Sequence, residues 1–154
     1  MKAPTIPARA ERIDYISREL LPRAALLTRL LVRQLGGELS RTELGLLKTL
    51  DDGSRRITEL AGLEGLAQPT TTILIKQLDE RGLVTRTRQP GDARVVLVSL
   101  TESGNAALED YRGKLRAVLG GHLTEISDEQ VEALATATET LSQLVDVLQL
   151  RPAQ

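Results

Sequence analysis

The sequence predicts a mainly α-helical chain with one small β-hairpin: a winged helix-turn-helix segment joined to a helical dimerisation domain. Three observations support this class. Residues 57–100 read as a short helix, a turn, a second helix and then two strands joined by a tip. Long stretches at both ends of the chain carry apolar residues at helical spacing and little that would cover them. The chain has no Phe and no Trp, so its core must come from Leu, Val, Ile and Ala, as suits helices packed on helices.

Taken in order, residues 1–10 hold Pro4 and Pro7 and read as a loosely docked arm. From Glu11 to Gln34, Ile13, Ile16, Leu20, Leu27, Leu31 and Leu35 fall near one helical stripe. Pro22 lacks the N–H that would bond to residue 18, so either a kink or a second helix starting near Leu21 is expected. Gly36 and Gly37 end the element. Ser40 with Glu43 three residues on spells a capping box, opening a helix over 41–50 that buries Leu44, Leu47 and Leu50. Arg55 and Arg56 follow as a short extended piece.

The helix-turn-helix begins with Leu60, Ala61 and Leu66 at helix-and-turn spacing. In its second helix Thr71, Leu74, Ile75 and Leu78 share one side, which turns Thr70, Thr72, Ile73, Lys76 and Gln77 outward. Gly82 suits a left-handed C-terminal cap. Residues 83–88 and 94–100 are strand-like runs around Gln89-Pro90-Gly91-Asp92, a hairpin. Thr101 reads as the N-cap of a long helix burying Ala107, Leu108, Tyr111, Leu115, Val118 and Leu119. Gly120 and Gly121 weaken that helix by roughly 1 kcal/mol each relative to Ala, so a bend or an end is expected there. Ser127 with Gln130 forms another capping box, and Val131, Leu134, Leu141, Leu144, Val145 and Leu148 stripe the last helix. The terminal helices have more apolar surface than one winged domain covers. They are expected to pair across a two-fold axis, the alternative being an intramolecular three-helix bundle. The chain divides accordingly into residues 1–36 (arm and dimerisation helix), 37–100 (winged helix-turn-helix) and 101–154 (dimerisation helices).

Composition excludes several classes. With no Cys and one His, disulfides, thiol redox switching and the usual zinc or copper sites have no ligand set, and no metal or cofactor is expected. There is no phosphate-cradling glycine loop and no nucleophile–base constellation around the one His, so an enzyme is not expected. No apolar run approaches the ~20 residues of a membrane span, and the first eight residues have no apolar core of a signal peptide; a cytoplasmic protein is the default. Formal net charge is −1, unevenly distributed: residues 1–53 and 54–100 each carry +2, and residues 101–154 carry −5.

The central segment resembles the winged-helix domain of the MarR family of bacterial transcription regulators. The likeness is carried by Ile57-Thr58-Glu59-Leu60-Ala61, by Gln68-Pro69-Thr70 and by Leu78-Asp79-Glu80-Arg81-Gly82-Leu83-Val84. Asp92-Ala93-Arg94 and Leu100-Thr101-Glu102-Ser103-Gly104 complete it, and the five pieces stand in family order and spacing. The resemblance extends over nearly all of residues 20–150. It implies a homodimer that binds double-stranded DNA, with the positive front of the chain toward the duplex and the acidic tail elsewhere.

On that expectation Gln68, Pro69, Thr70 and Thr72 open a recognition helix in the major groove, where Thr hydroxyls meet bases or phosphates and Thr methyls meet thymine. Lys76 would contact phosphate. Two residues depart from the family: Ala67 stands where Ser often caps the helix, and Ile73 where Arg often faces outward. Specificity then leans on hydroxyls, an apolar base contact and DNA shape. In the wing Arg94 is the expected minor-groove residue, with Arg86 and Arg88 on phosphates and Arg55 and Arg56 as lesser candidates. The resemblance implies that Asp92 holds the Arg94 side chain. It implies too that a small aromatic acid or phenol releases DNA by binding between the helical arms and the winged domain. Candidate lining lies in residues 20–35, 41–50 and 105–116, with Arg23, Arg29, Arg33, Tyr111 and Arg112 as polar anchors. The competing reading is a winged helix that binds protein without sequence-specific DNA binding.

Overall fold

In a computed structural model, which describes residues 8–89 and 91–150, the described chain forms six helices and a small three-stranded sheet. They run in the order α1 (Arg9–Leu35), α2 (Arg41–Asp51), β1 (Arg55–Arg56), α3 (Ile57–Glu64), α4 (Gln68–Glu80), β2 (Val84–Gln89), β3 (Asp92–Leu100), α5 (Glu102–Leu123) and α6 (Asp128–Gln149). This is the winged helix-turn-helix the sequence predicts. Residues 1–7 of the expected arm and Pro90 of the hairpin tip lie outside the described residues. Compactness divides the chain inside α5, into residues up to Leu115 and residues from Arg116 onward.

Helix boundaries follow local chemistry. Ser40 Oγ accepts from the Glu43 N–H at 3.2 Å while Glu43 Oε2 accepts from the Ser40 N–H at 2.7 Å, closing the capping box of α2. Ser127 and Gln130 do the same for α6 at 3.3 and 3.0 Å. Gly82 takes φ 71°, and the N–H groups of Gly82 and Leu83 bond back to Asp79 and Leu78, so the chain leaves α4 through a left-handed cap that a Cβ would strain.

One expectation is corrected and two pairs of alternatives are narrowed. The helix has begun by Arg9, so the arm is shorter than ten residues. Pro22 neither ends α1 nor starts a second helix, for the element is unbroken to Leu35. A proline removes one donor from this ladder, and the Glu19–Arg23 ion pair at 2.9 Å spans the turn that contains it. Likewise α5 runs through Gly120 and Gly121 to Leu123, since two unfavourable residues near a helix end do not outweigh the turns before them.

The core is one aliphatic cluster drawn from α2, α3, α4 and the sheet. Leu46, Leu47 and Leu50 of α2 meet Leu60 of α3, Ile75 and Leu78 of α4, Val84 of β2 and Val98 of β3, all buried. Strand order is β1-β3-β2, all antiparallel. The two-residue β1 pairs Arg55 with Val98 and Arg56 with Leu97, which makes a third strand of a stretch that sequence identified only as extended. Beyond that rung the hairpin is a two-stranded ribbon.

A tight junction joins the winged segment to α5. Thr101 Oγ1 donates to the Gly82 carbonyl at 2.6 Å and accepts the Gly104 N–H at 3.0 Å, so one hydroxyl both caps α5 and holds the turn after α4. Gly104 is buried there, and a Cβ on it would stand 1.9 Å from the Leu83 carbonyl oxygen. The last helix and most of the first bury almost nothing within the chain. Only Leu31 is buried in α1 and no residue is buried in α6, whose Leu134, Leu144 and Leu148 are about half exposed or more.

Gly104→Ala should therefore force α5 away from the turn, because backbone rather than a flexible side chain blocks the methyl. The expected outcome is a loss of roughly 1–3 kcal/mol in urea-unfolding free energy at fixed protein concentration, with helical content retained. An unchanged midpoint would show that the junction yields.

Candidate nucleic-acid interface

Helix α4 is divided sharply between its two sides. Thr71, Ile75 and Leu78 are buried, and Gln68, Pro69, Thr70, Thr72, Ile73, Lys76 and Gln77 are exposed. The inward stripe is fixed by the core, so the outward set is fixed with it. Ala67, the N-cap, offers no side-chain oxygen, and Pro69 has no N–H, so the Gln68 and Thr70 amides open the helix without a capping side chain. Such a terminus favours an anion in front of it.

The hydroxyls on that face are not equivalent. Thr72 Oγ1 donates to the Gln68 carbonyl at 2.9 Å, which leaves its lone pairs and its methyl for a partner but not its proton. Thr70 makes no side-chain hydrogen bond among the described residues, so it is the hydroxyl free to donate. Ile73 is 58% exposed, an aliphatic surface in the middle of a polar face. Lys76 lies 3.8 Å from Glu80 in an exposed pair, too weak to hold it against a stronger anion.

In the wing, strand pairing slips between Arg88, opposite Val96, and Gln89, opposite Asp92. The slip leaves Ala93, Arg94 and Val95 out of regular register next to the tip. Arg88 and Arg94 are exposed, with no ion-pair partner among the described residues. The expected Asp92–Arg94 side-chain pairing is not what forms. Asp92 Oδ1 accepts the backbone N–H of Arg94 at 3.0 Å, an Asx-type turn that shapes the bulge and leaves the guanidinium to solvent. Arg86, expected on phosphate, lies against Asp79 of α4 in the structure: Nε and Nη2 both stand 2.8 Å from Oδ2. Arg56 reaches Gln89 Oε1 at 3.3 Å, tying β1 to the hairpin.

A second feature is a cavity of about 670 Å³ between α1, α2 and the Tyr111 side of α5. Pro22, Leu26 and Val32 supply apolar wall. Of the five anticipated anchors only Arg29 and Tyr111 line it. Arg23 is held by Glu19, and Arg33 is exposed outside this lining. Arg112 bridges Glu109 at 2.7 Å and Asp51 at 2.8 Å, and its hydrogen bonds to those two carboxylates raise its pKa above the ordinary arginine value. Arg41 and Lys48 take the places of the missing anchors, with Lys48 Nζ 5.0 Å from the Tyr111 ring centroid. They were findable: Arg41, Leu44, Gly45 and Lys48 recur at i, i+3, i+4 and i+7 and so share one helix face. Glu64 also lines the cavity, its carboxylate accepting a hydrogen bond from the Thr49 hydroxyl. Three cations against one carboxylate leave the cavity net positive.

Among the described residues there is no cluster of metal-ligating side chains, and no helix is long and apolar enough to cross a membrane.

Comparison with known proteins bears on the first of these features. The MarR family model matches residues 39–96. The uncharacterized HTH-type transcriptional regulator Mb0904 of Mycobacterium bovis is 32% identical over 108 residues, 70% of this chain and 76% of its own length. The HTH-type transcriptional repressor MdtR of Bacillus subtilis is 26% identical over 94 residues, a match spanning 61% of each chain and so less than two thirds of that repressor. Among solved structures, a MarR family protein from Bacillus stearothermophilus is 27% identical and superposes with a TM-score of 0.67, over 90% of this chain and 99% of that one.

Proposed function

Because this chain belongs to the MarR family of helix-turn-helix regulators, and is thus a DNA-binding transcription regulator, we propose that it works as a homodimeric repressor. In this reading it grips a pseudo-palindromic operator and lets go when a small aromatic acid binds. The observation that carries the reading is the outward face of α4, solvent-exposed from Gln68 to Gln77, beside a wing whose Arg88 and Arg94 are uncommitted among the described residues. The first turn of α4 enters the major groove, with the Thr70 hydroxyl donating and the Thr72 and Ile73 methyls meeting thymine methyls. Arg94 enters the neighbouring minor groove, where A·T-rich sequence narrows the groove and strengthens its negative potential.

A second copy covers the apolar faces of α1 and α6, since each carries a stripe of large aliphatics left exposed among the described residues. Two-fold pairing also matches the symmetry of a palindromic site, with half-sites about one helical turn apart. The effector occupies the α1–α2 cavity. Its volume suits a small aromatic molecule, the Tyr111 ring offers a stacking surface, and Arg29, Arg41 and Lys48 offer charge-assisted bonds to a carboxylate.

Duplexes enriched by the protein from a randomised pool test the central reading, and should converge on an inverted repeat. On the selected duplex Arg94→Ala should weaken binding by roughly ten- to a hundredfold and lower the slope of log affinity against log salt by about one, with thermal unfolding unchanged. Equal affinity for the variant would remove the wing from the mechanism. Wild-type protein should sediment at twice the chain mass. Leu141→Glu combined with Leu144→Glu should halve that mass and abolish tight binding, whereas a double variant that stays dimeric would place the interface elsewhere. Titrating a panel of hydroxybenzoic acids should release the duplex. Lys48→Ala should raise the concentration needed about tenfold without altering ligand-free affinity, and an unshifted release curve would take the effector out of this cavity.

A further inference from the structure

We propose that Arg86 is a positioning residue that sets the angle of the wing to the recognition helix through Asp79, and that it is not a phosphate ligand. The inference rests on the DNA-binding reading above and concerns a contact internal to the protein. Arg86 Nε and Nη2 converge on one carboxylate oxygen at 2.8 Å, and Asp79 is mostly shielded, its side chain 28% exposed. Asp79 is otherwise poorly placed. It sits in the last turn of α4, next to Glu80, where the helix dipole disfavours negative charge and no basic residue of the turn offsets it. The wing arginine supplies the missing cation.

The same turn is gripped from the opposite side. Arg81 donates to Glu43 Oε1 of α2 at 3.0 Å, and Glu43 is buried, its other oxygen holding the Ser40 N–H. The end of α4 is therefore fixed to the helical core by one ion pair and to the wing by another. Position in the sheet explains why the second matters. Arg86 lies opposite Val98, the rung at which Arg55 adds the third strand. One further rung, Leu97 with Arg56, still carries the third strand. Past it the hairpin runs on as two strands toward Arg88, the bulge and Arg94, with the Arg56–Gln89 hydrogen bond tying it to β1. Four residues of strand span about 13 Å, so a 10° rotation at Arg86 would displace the tip by roughly 2 Å. That is enough to misplace a guanidinium meant for a narrow groove.

The two roles predict opposite signs for Asp79, read as affinity for the duplex that the wild-type protein selects. As a strut, Asp79→Asn weakens binding about tenfold, matches Arg86→Gln, and the double variant is no weaker than either, with the salt slope of Arg86→Gln unchanged. Hydroxyl-radical protection should be lost at the outer minor groove while major-groove protection persists. As a phosphate ligand, Arg86→Gln lowers the salt slope by about one, and Asp79→Asn binds more tightly because a negative charge has left the interface; that result overturns the proposal, as do singles that bind like wild type. Should either single variant melt below the assay temperature, the charge-reversed pair Asp79→Arg with Arg86→Asp decides: near-wild-type affinity supports the strut, and a loss as large as that of Arg94→Ala overturns it. Failure of the wild-type protein to enrich any duplex would instead sink the DNA reading itself.

Discussion

Burial of Thr71, Ile75 and Leu78 is the constraint on which the rest depends. These three side chains lie on the inner stripe of α4, and all are fully buried, the two aliphatic ones against Leu46, Leu47, Leu60, Val84 and Val98. Burying an aliphatic side chain contributes about 1.5–3 kcal/mol, so rotating α4 by one residue would cost several kcal/mol of core. That sum far exceeds any gain from a different surface face. The outward face is thus specified by packing before any partner arrives, and its chemistry is free to vary. Thr71 marks the limit of this economy, a hydroxyl tolerated in the core because Ala67 takes its proton at 3.2 Å.

Charge is distributed with similar restraint. A net charge of −1 gives little long-range pull on DNA, so affinity must come from a few local cations. Several of the winged segment's basic side chains are already engaged within the protein: Arg86 by Asp79, Arg81 by Glu43, Lys76 weakly by Glu80. What remains toward the wing is Arg88 and Arg94, with Arg56 leaning on Gln89. A reader built this way has a shallow non-specific background, because the sequence-independent phosphate contribution scales with the number of free cations. On the proposed reading discrimination is carried instead by fit: the methyl-bearing α4 face and the width of the minor groove at the wing.

The elements were legible in the sequence wherever a local rule decides them. Capping boxes at Ser40 and Ser127, the glycine after α4, the threonine opening α5 and the stripe of α4 are fixed by neighbours three or four residues away. Contacts between elements were less so. Asp79 and Arg86 are seven residues apart, and only the left-handed turn at Gly82 brings the helix end back against the strand. Arg55 and Arg56 became a strand because β3 had an edge to fill, which no property of two arginines reveals. Asp92 was expected on the Arg94 side chain and lies on its backbone instead; the bulge between Arg88 and Gln89 that makes the difference has no sequence mark beyond Gly91. In the cavity, arginines chosen by location on α1 gave way to Arg41 and Lys48 of α2, since a helix that buries only Leu31 turns most of its cations to water.

On the proposed reading, in which an effector fills the α1–α2 cavity of a dimeric repressor, the rigidity of the winged segment constrains how that effector would act. The cavity is walled by α1 on one side and α2 on the other, and α2 shares its core with α4 through Leu46, Leu47 and Leu50. A ligand there has no direct access to the α4 surface and cannot rotate α4 without opening that core. Helix α1, by contrast, buries a single residue and is the softer wall. A ligand wedged between the two therefore changes the angle of α1 against an otherwise intact reading head. In the proposed dimer, held through its terminal helices, that angle would set the distance between the two heads. Each tenfold preference for the ligand-bound angle is worth about 1.4 kcal/mol against DNA binding, and the effect is doubled when both protomers are filled. Release then needs no unfolding and no competition for the groove: it requires only that the spacing preferred with ligand differ from the spacing the duplex imposes.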